Sequence, residues 1–397
     1  MERMTGTRRF DLDWMRILAM LAVFVAHCGR FFDSQGWHVK NATTYPGMDL
    51  IAGLLVTWLM PLMFAISGAS LFYSVRKGPV RFLQDKVRRL LVPLLVGIFS
   101  HVILGVYLER LTQGRFRGSL LQFIPHYFDG LLFFGGNFAW MGLHLWYLEW
   151  LFLFSLACLP LFLWLADGSG RRLLVRLGDL LARPLGLYLL ALPSTLLIPL
   201  LDPTNLFLGD RGWGGWSLPI YPFFLFAGFV IIANDGIQER MRRQRWLSLA
   251  AGILLLAAVG VITASQGEGR FGTPTYALVV MPHSLASWCL VLAILGFNME
   301  HLNVGRPILR YAGEAVLPFY ILHQTVILSL GYYIVRWQIP DLLKYVVILC
   351  GSFAVTMALY EFLVRRVNVL RFLFGMKPLP RQPLMRAAGQ PAAGSQV

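Results

Sequence analysis

Apolar runs about twenty residues long, separated by short polar or basic stretches, recur from one end of the chain to the other. A helix needs about 20 apolar residues to cross the hydrocarbon core of a bilayer. On that basis the pattern predicts ten spans, at residues 13–33, 50–74, 90–109, 143–166, 185–201, 217–234, 246–264, 274–297, 313–336 and 341–365. The basic residues supply an independent test of this count. When alternate loops are assigned to the cytoplasm, 25 of the 35 Lys and Arg fall on that side, 9 fall opposite, and Arg16 lies inside the first span. By the positive-inside rule both termini are then cytoplasmic.

Composition agrees with the pattern: 57% of the residues are hydrophobic, 14% are charged, and mean hydropathy is +0.62. The expected fold is an all-α, polytopic membrane bundle of about ten transmembrane helices enclosing a polar cavity. A net charge of +15 would suggest nucleic acid in a water-soluble protein. Here the cations mark topology, and no basic stripe with interleaved aromatics calls for a nucleic-acid partner. Cys28, Cys158, Cys289 and Cys350 all lie in apolar runs without CxxC spacing, so neither a disulfide framework nor a structural zinc site is expected. The basic start of the chain, Met1 to Asp11, leads into a first span with no clear cleavage site, which reads as retained. The outer segment from Arg110 to Gly142 is rich in Phe and Gly, contains Phe133-Phe-Gly-Gly-Asn137, and suggests a re-entrant or interfacial piece. Residues 1–376 form the expected membrane domain. Residues 377–397, rich in Pro, Gly, Ala and Gln, are expected to be a disordered cytoplasmic tail.

The candidate chemistry begins in the first span. Arg16 and His27 are eleven positions apart, about 20° past three full helical turns, so both share one face about 16 Å apart along the axis. Ionisable groups inside a bilayer are costly and usually line a functional path; the competing reading is a snorkelling Arg and a packing His. Other intramembrane groups are weaker candidates. His323 sits at mid-membrane depth, compatible with His27 or with a helix-bridging role. His101 and His283 read as packing. His144 and Glu149, near the outer face, suit either support of the site or surface pairing. Ser67-Gly68 lacks a nucleophile elbow, and close packing of small residues explains it equally well. No His pairs with another His or Cys at i, i+4, so no metal is expected.

With the spans in place a resemblance emerges. Asp13-Trp-Met-Arg16 followed after ten residues by His27 resembles the R-x10-H signature of acyltransferase family 3. Phe64-Ala-Ile-Ser67-Gly68-Ala69 is similar to its F-x-I-S-G element. Lys86-Val-Arg88-Arg89, before Pro93, resembles its basic motif. His144-Leu-Trp146-Tyr-Leu and Tyr320-Ile-Leu-His323 resemble two further elements, and Trp37-His-Val-Lys40-Asn41 resembles the branch that succinylates periplasmic glucans. The chain departs from the commoner pattern of two arginines three positions apart, since that spacing falls here on Lys86 and Arg89, with Arg88 between.

The resemblance implies O-acyl transfer, of a succinyl or acetyl group, from cytoplasmic acyl-CoA as co-substrate to a hydroxyl of an extracytoplasmic glycan, in a bacterial inner membrane. In that reading His27 is the general base, Arg16 and the run Lys86, Arg88, Arg89 meet the phosphates of the donor, and Ser67 lies on the donor side. His144, Trp146, Glu149, Tyr320 and His323 serve or support the acceptor side. No permanently bound cofactor is implied, and membrane lipid surrounds the whole. The alternative is a secondary transporter of an organic anion, with Arg16 binding the anion and His27 relaying protons.

Overall fold

A computed structural model describes residues 9–209 and 213–379. Most of the tail expected at 377–397 therefore lies outside the described residues. Among those residues the structure is helical, with no strand beyond one isolated bridge, Leu131 to Phe138.

Six helices are long and apolar enough to cross a membrane: α1 (Phe10–Gly29), α2 (Pro46–Val75), α11 (Asp235–Gln266), α12 (Pro274–His301), α13 (Pro307–Ile334) and α14 (Asp341–Val364). Three further pairs pass the same test only when taken together across a bend. These are α3 (Pro79–Phe99) with α4 (Val102–Thr112) at 43°, α6 (Leu143–Ala157) with α7 (Leu159–Ala166) at 55°, and α8 (Gly168–Leu181) with α9 (Gly186–Leu200) at 119°. A short helix α5 (Leu120–His126) follows α4, an apolar helix α10 (Leu218–Ala233) precedes α11, and a last turn α15 (Asn368–Leu373) follows α14. The chain is a polytopic membrane protein, with six helices of spanning length among the described residues, or up to nine spans if each bent pair is one.

The bends have local causes. Between α3 and α4 the Ser100 hydroxyl bonds back to the Val96 carbonyl at 2.5 Å, and Ser100 leaves helical geometry. Pro160 starts α7 just after the break, and Leu185, after Pro184, takes a left-handed conformation before α9. The expected span at 185–201 is accordingly built of 3₁₀ turns and a short α-helix, with Pro193 and Pro199 inside it. α11 runs for 32 residues, about 48 Å. That exceeds a bilayer core, and its first turns carry Arg240, Arg242, Arg243 and Arg245 out of the apolar zone.

Backbone contact locks α2 to α10. A Cβ on Gly68 would fall 1.8 Å from the Leu225 carbonyl oxygen, and a Cβ on Gly228 would fall 1.8 Å from that of Ala65. Two glycines thus let each helix seat against the other's backbone, the small-residue packing used between membrane helices. On the other side of α2, α1 lies against α13, and Phe31 presses onto Gly331.

The segment after α4 folds back over the bundle. Arg110 is buried and donates to Asn137 Oδ1 at 2.8 Å and to the Gly136 carbonyl at 2.7 Å. Gly136 is required there, because a Cβ would lie 2.2 Å from the Gly130 carbonyl carbon. Phe123 and Tyr127 are buried beneath this piece.

Candidate functional site

The α1 face carrying Arg16 and His27 is continuous helix, as the spacing required. His27 meets His323 of α13, with stacked rings 5.2 Å apart and His27 Nδ1 3.1 Å from His323 Nε2. His323 Nδ1 lies 2.7 Å from the Tyr320 carbonyl oxygen. A carbonyl only accepts, so that nitrogen carries the hydrogen and Nε2 of the neutral ring is an acceptor. His27 must then donate from Nδ1. Its Nε2 is left with a free lone pair, the form a proton acceptor needs.

The other histidines brace the same turn of α13. His144 Nε2 is 3.1 Å from the carbonyls of both Tyr320 and Ile321, and His101 Nε2 donates to the Ile321 carbonyl at 2.8 Å. Tyr320 returns its hydroxyl to the His144 carbonyl at 2.5 Å. His101 therefore has the structural role expected of it. His283 lies elsewhere, stacked on Trp216 and bonded to Thr57. Among the described residues no group of three or more His, Cys, Asp or Glu is arranged to hold a metal ion.

One end of the bundle gathers cations. Arg16 Nη2 bonds Ser70 Oγ at 2.5 Å, one turn beyond Ser67, and pairs at 3.6 Å with Asp13. Lys86 and Arg89 lie close enough to Arg16 for their like charges to repel. The run sits on a π turn, Val87–Leu91, which shifts the register within α3 and sends neighbouring arginines in different directions. Lys86 rests over the Phe82 ring, while Arg88 donates to the Met376 carbonyl at 2.7 Å. Arg89, Arg88, Lys77, Asp85 and Lys377 line a polar cavity of about 110 Å³. A second cavity, apolar and about 400 Å³, lies between α1, α2 and α12 and includes neither Arg16 nor His27 in its wall.

The remaining sequence candidates divide. Ser67 Oγ is 2.6 Å from the Tyr147 hydroxyl, which in turn donates to the Met63 carbonyl at 3.1 Å, so Ser67 faces a phenol and has no base beside it. Trp146 turns away from the histidines into an aromatic group with Phe64, Trp213 and Tyr221. Glu149 is not surface-paired: its Oε2 is buried and, among the described residues, makes no hydrogen bond.

The structure adds residues that spacing alone did not single out. The loop after α1 brings Trp37 to 5.6 Å from the His27 ring. His38 Nε2 receives a hydrogen bond from Gln324 at 3.3 Å, and its Nδ1 donates to the Glu109 carboxylate. Asp33, fully buried, pairs with Arg30 at 2.6 Å and with Lys40 at 2.7 Å, which pins the loop. Glu109 was a lone acid at the outer end of a span, a costly position that in itself is a signal.

A helical membrane bundle with a histidine pair between two of its spans and cations gathered at one end narrows the class. The family model described as acyltransferase domain (acyltransferase family 3) matches residues 9–361, and the chain belongs to that family. Similar proteins include those named glucans biosynthesis protein C from Salmonella paratyphi B and Salmonella enteritidis PT4, each 25% identical over 98% of this chain and the whole of the relative. The protein of that name from Salmonella paratyphi A is 24% identical with the same coverage. No solved structure matches.

Proposed function

We propose that this protein is an inner-membrane O-acyltransferase that moves a succinyl or acetyl group from cytoplasmic acyl-CoA to a hydroxyl of an extracytoplasmic glycan. The observation that carries the reading is the chain Tyr320 carbonyl, His323, His27, which leaves His27 Nε2 free to accept a proton. In this arrangement His27 is the general base, and His323 is a positioning residue that fixes its tautomer. Arg16, Lys86 and Arg89 meet the donor's phosphates at the basic end, Lys86 as a point charge without the fork of Arg. The pantetheine arm climbs α1 by the 16 Å or so between Arg16 and His27. Arg88, tied to Met376, serves the donor site through the fold of the last residues. Membership in an acyltransferase family favours ester formation over the anion-transport reading of the same two residues, and the glycan acceptor follows from the relatives' name. The topology that fits is ten spans, counting α10 and the three bent pairs, with both termini cytoplasmic.

The test is to supply radiolabelled acyl-CoA to inside-out vesicles and measure label esterified to glycan. Wild type is expected to transfer label, and well-expressed His27→Ala to lose about 10²- to 10⁴-fold in rate, the usual contribution of a general base. Unchanged transfer in His27→Ala would overturn the assignment.

A further inference from the structure

Acyl transfer needs more than a base. As a hydroxyl attacks a thioester, its proton passes to the base, the new C–O bond forms, and the carbonyl π pair moves onto oxygen. That oxyanion needs a donor aimed at it before the C–S bond breaks and the thiolate leaves, taking the proton back from the base. No residue given a role so far supplies one.

Trp37 does. Its ring lies 5.6 Å from that of His27, tilted by 43°, and its indole Nε1 is buried with no hydrogen-bond partner among the described residues. A buried donor without an acceptor is uncommon and asks for an explanation. The two rings are near enough to meet one tetrahedral carbon together, the base about 3 Å from its attacking oxygen and the donor about 3 Å from its oxyanion. The Arg30 guanidinium lies over the Trp37 ring at 5.3 Å, drawing electron density from the indole and strengthening Nε1–H as a donor.

The loop is built to hold that donor still. Asp33 binds Arg30 and Lys40, Lys40 also donates to the Arg30 carbonyl at 2.7 Å, and Asn41 N bonds the Phe31 carbonyl at 2.9 Å. These contacts close residues 30–41 into a rigid ring with Trp37 at its inward side. A donor fixed before the reaction needs no reorganisation during it, which is what makes such a contact effective.

We infer that Trp37 Nε1–H is the hydrogen-bond donor that stabilises the acyl carbonyl oxygen as it becomes an oxyanion beside His27. This rests on the acyl-transfer reading above. The decisive variant replaces Trp37 with 3-benzothienylalanine, which keeps the bicyclic ring and puts sulfur in place of N–H, with Trp37→Phe as a second variant. Both are assayed beside His27→Ala in proteoliposomes, with succinyl-CoA or acetyl-CoA, whichever wild type turns over, and glucan oligosaccharides. The expected result is a fall in kcat of roughly 10²-fold in the benzothienyl protein, with KM for acyl-CoA and thermal stability near wild type. Wild-type kcat in that protein, with His27→Ala inactive, would overturn the role of Trp37 and leave the base assignment standing. Full activity in His27→Ala would overturn both.

Discussion

His27 and His323 show how a hydrogen bond sets chemistry one residue away. His323 has no exposed surface and both ring nitrogens engaged, so in the proposed reaction its contribution is to decide which nitrogen of His27 carries the proton. Substitutions separate that role from packing. His323→Gln retains a carbonyl oxygen able to accept from His27 Nδ1, whereas His323→Leu does not. Activity is expected in the order wild type, Gln, Leu, with the differences in kcat and a nearly constant KM for acyl-CoA. Equal kcat in the Gln and Leu proteins would detach His323 from the base. At the basic end, Arg16→Lys keeps the charge but loses the planar fork that reaches Ser70, and Arg16→Ala loses both. The Lys protein is expected to retain part of the activity and the Ala protein almost none, read as KM for acyl-CoA in vesicles; identical KM in all three would confine Arg16 to topology.

Among the elements, the contact between α2 and α10 is the most exacting. Gly68 was legible in the sequence only as a motif member that could serve chemistry or packing. The structure gives its backbone contact with Leu225, which places it in packing. Gly68→Ala is expected to cost about 1–3 kcal/mol, the usual range for overpacking, seen as a lower melting temperature in detergent. Gly53→Ala, in the same helix with nothing near its Cβ, should not lower the melting temperature and by helix propensity should raise it slightly. Equal stability of the two variants would show that the helices slide apart freely. Long spans such as α2 and α13 were readable from hydropathy because burial in lipid demands an apolar surface whatever the tertiary contacts. The kinks and the 3₁₀ build of α9 were only partly readable: Pro160, Pro184, Pro193 and Pro199 mark where helices break, but not the angle taken, which depends on which carbonyls find partners. The pairing of His27 with His323 was half legible: depth matched, but helix rotation and neighbour choice set the contact. Trp37 and His38 were legible only as members of a motif, and Glu109 not at all, because a loop brings them together beside α1 and period analysis says nothing about loops.

For the whole molecule, ionic contacts divide between two ends. Arg371 with Glu314 at 2.5 Å and Arg365 with Glu361 at 2.8 Å tie α13, α14 and α15 together at the basic end, while Arg30, Asp33, Lys40, Glu109 and Arg110 gather at the other. The positive-inside rule then gives a direct expectation. Alkaline phosphatase fused in the loop at Gly130 should be active, and a cytoplasm-dependent fluorescent reporter fused after Lys377 should be bright. A dim reporter after Lys377 would remove the proposed orientation, and with it the cytoplasmic donor. One last consequence follows from the turn at Tyr320 and Ile321, whose carbonyls receive His101, His144 and His323. Backbone atoms do the receiving, so apart from the Tyr320 hydroxyl that returns to His144 the path of the chain through these positions matters more than the side chains they carry. Inserting a single residue after Pro318 would turn the following helix by about 100°, detach His101 and His144 from those carbonyls and swing His323 away from His27, whereas insertion in the exposed Gly267–Gly272 loop meets no such constraint. Lineages descended from this protein should therefore tolerate substitutions at α13 positions other than His323 and Gly331 far better than changes in its length.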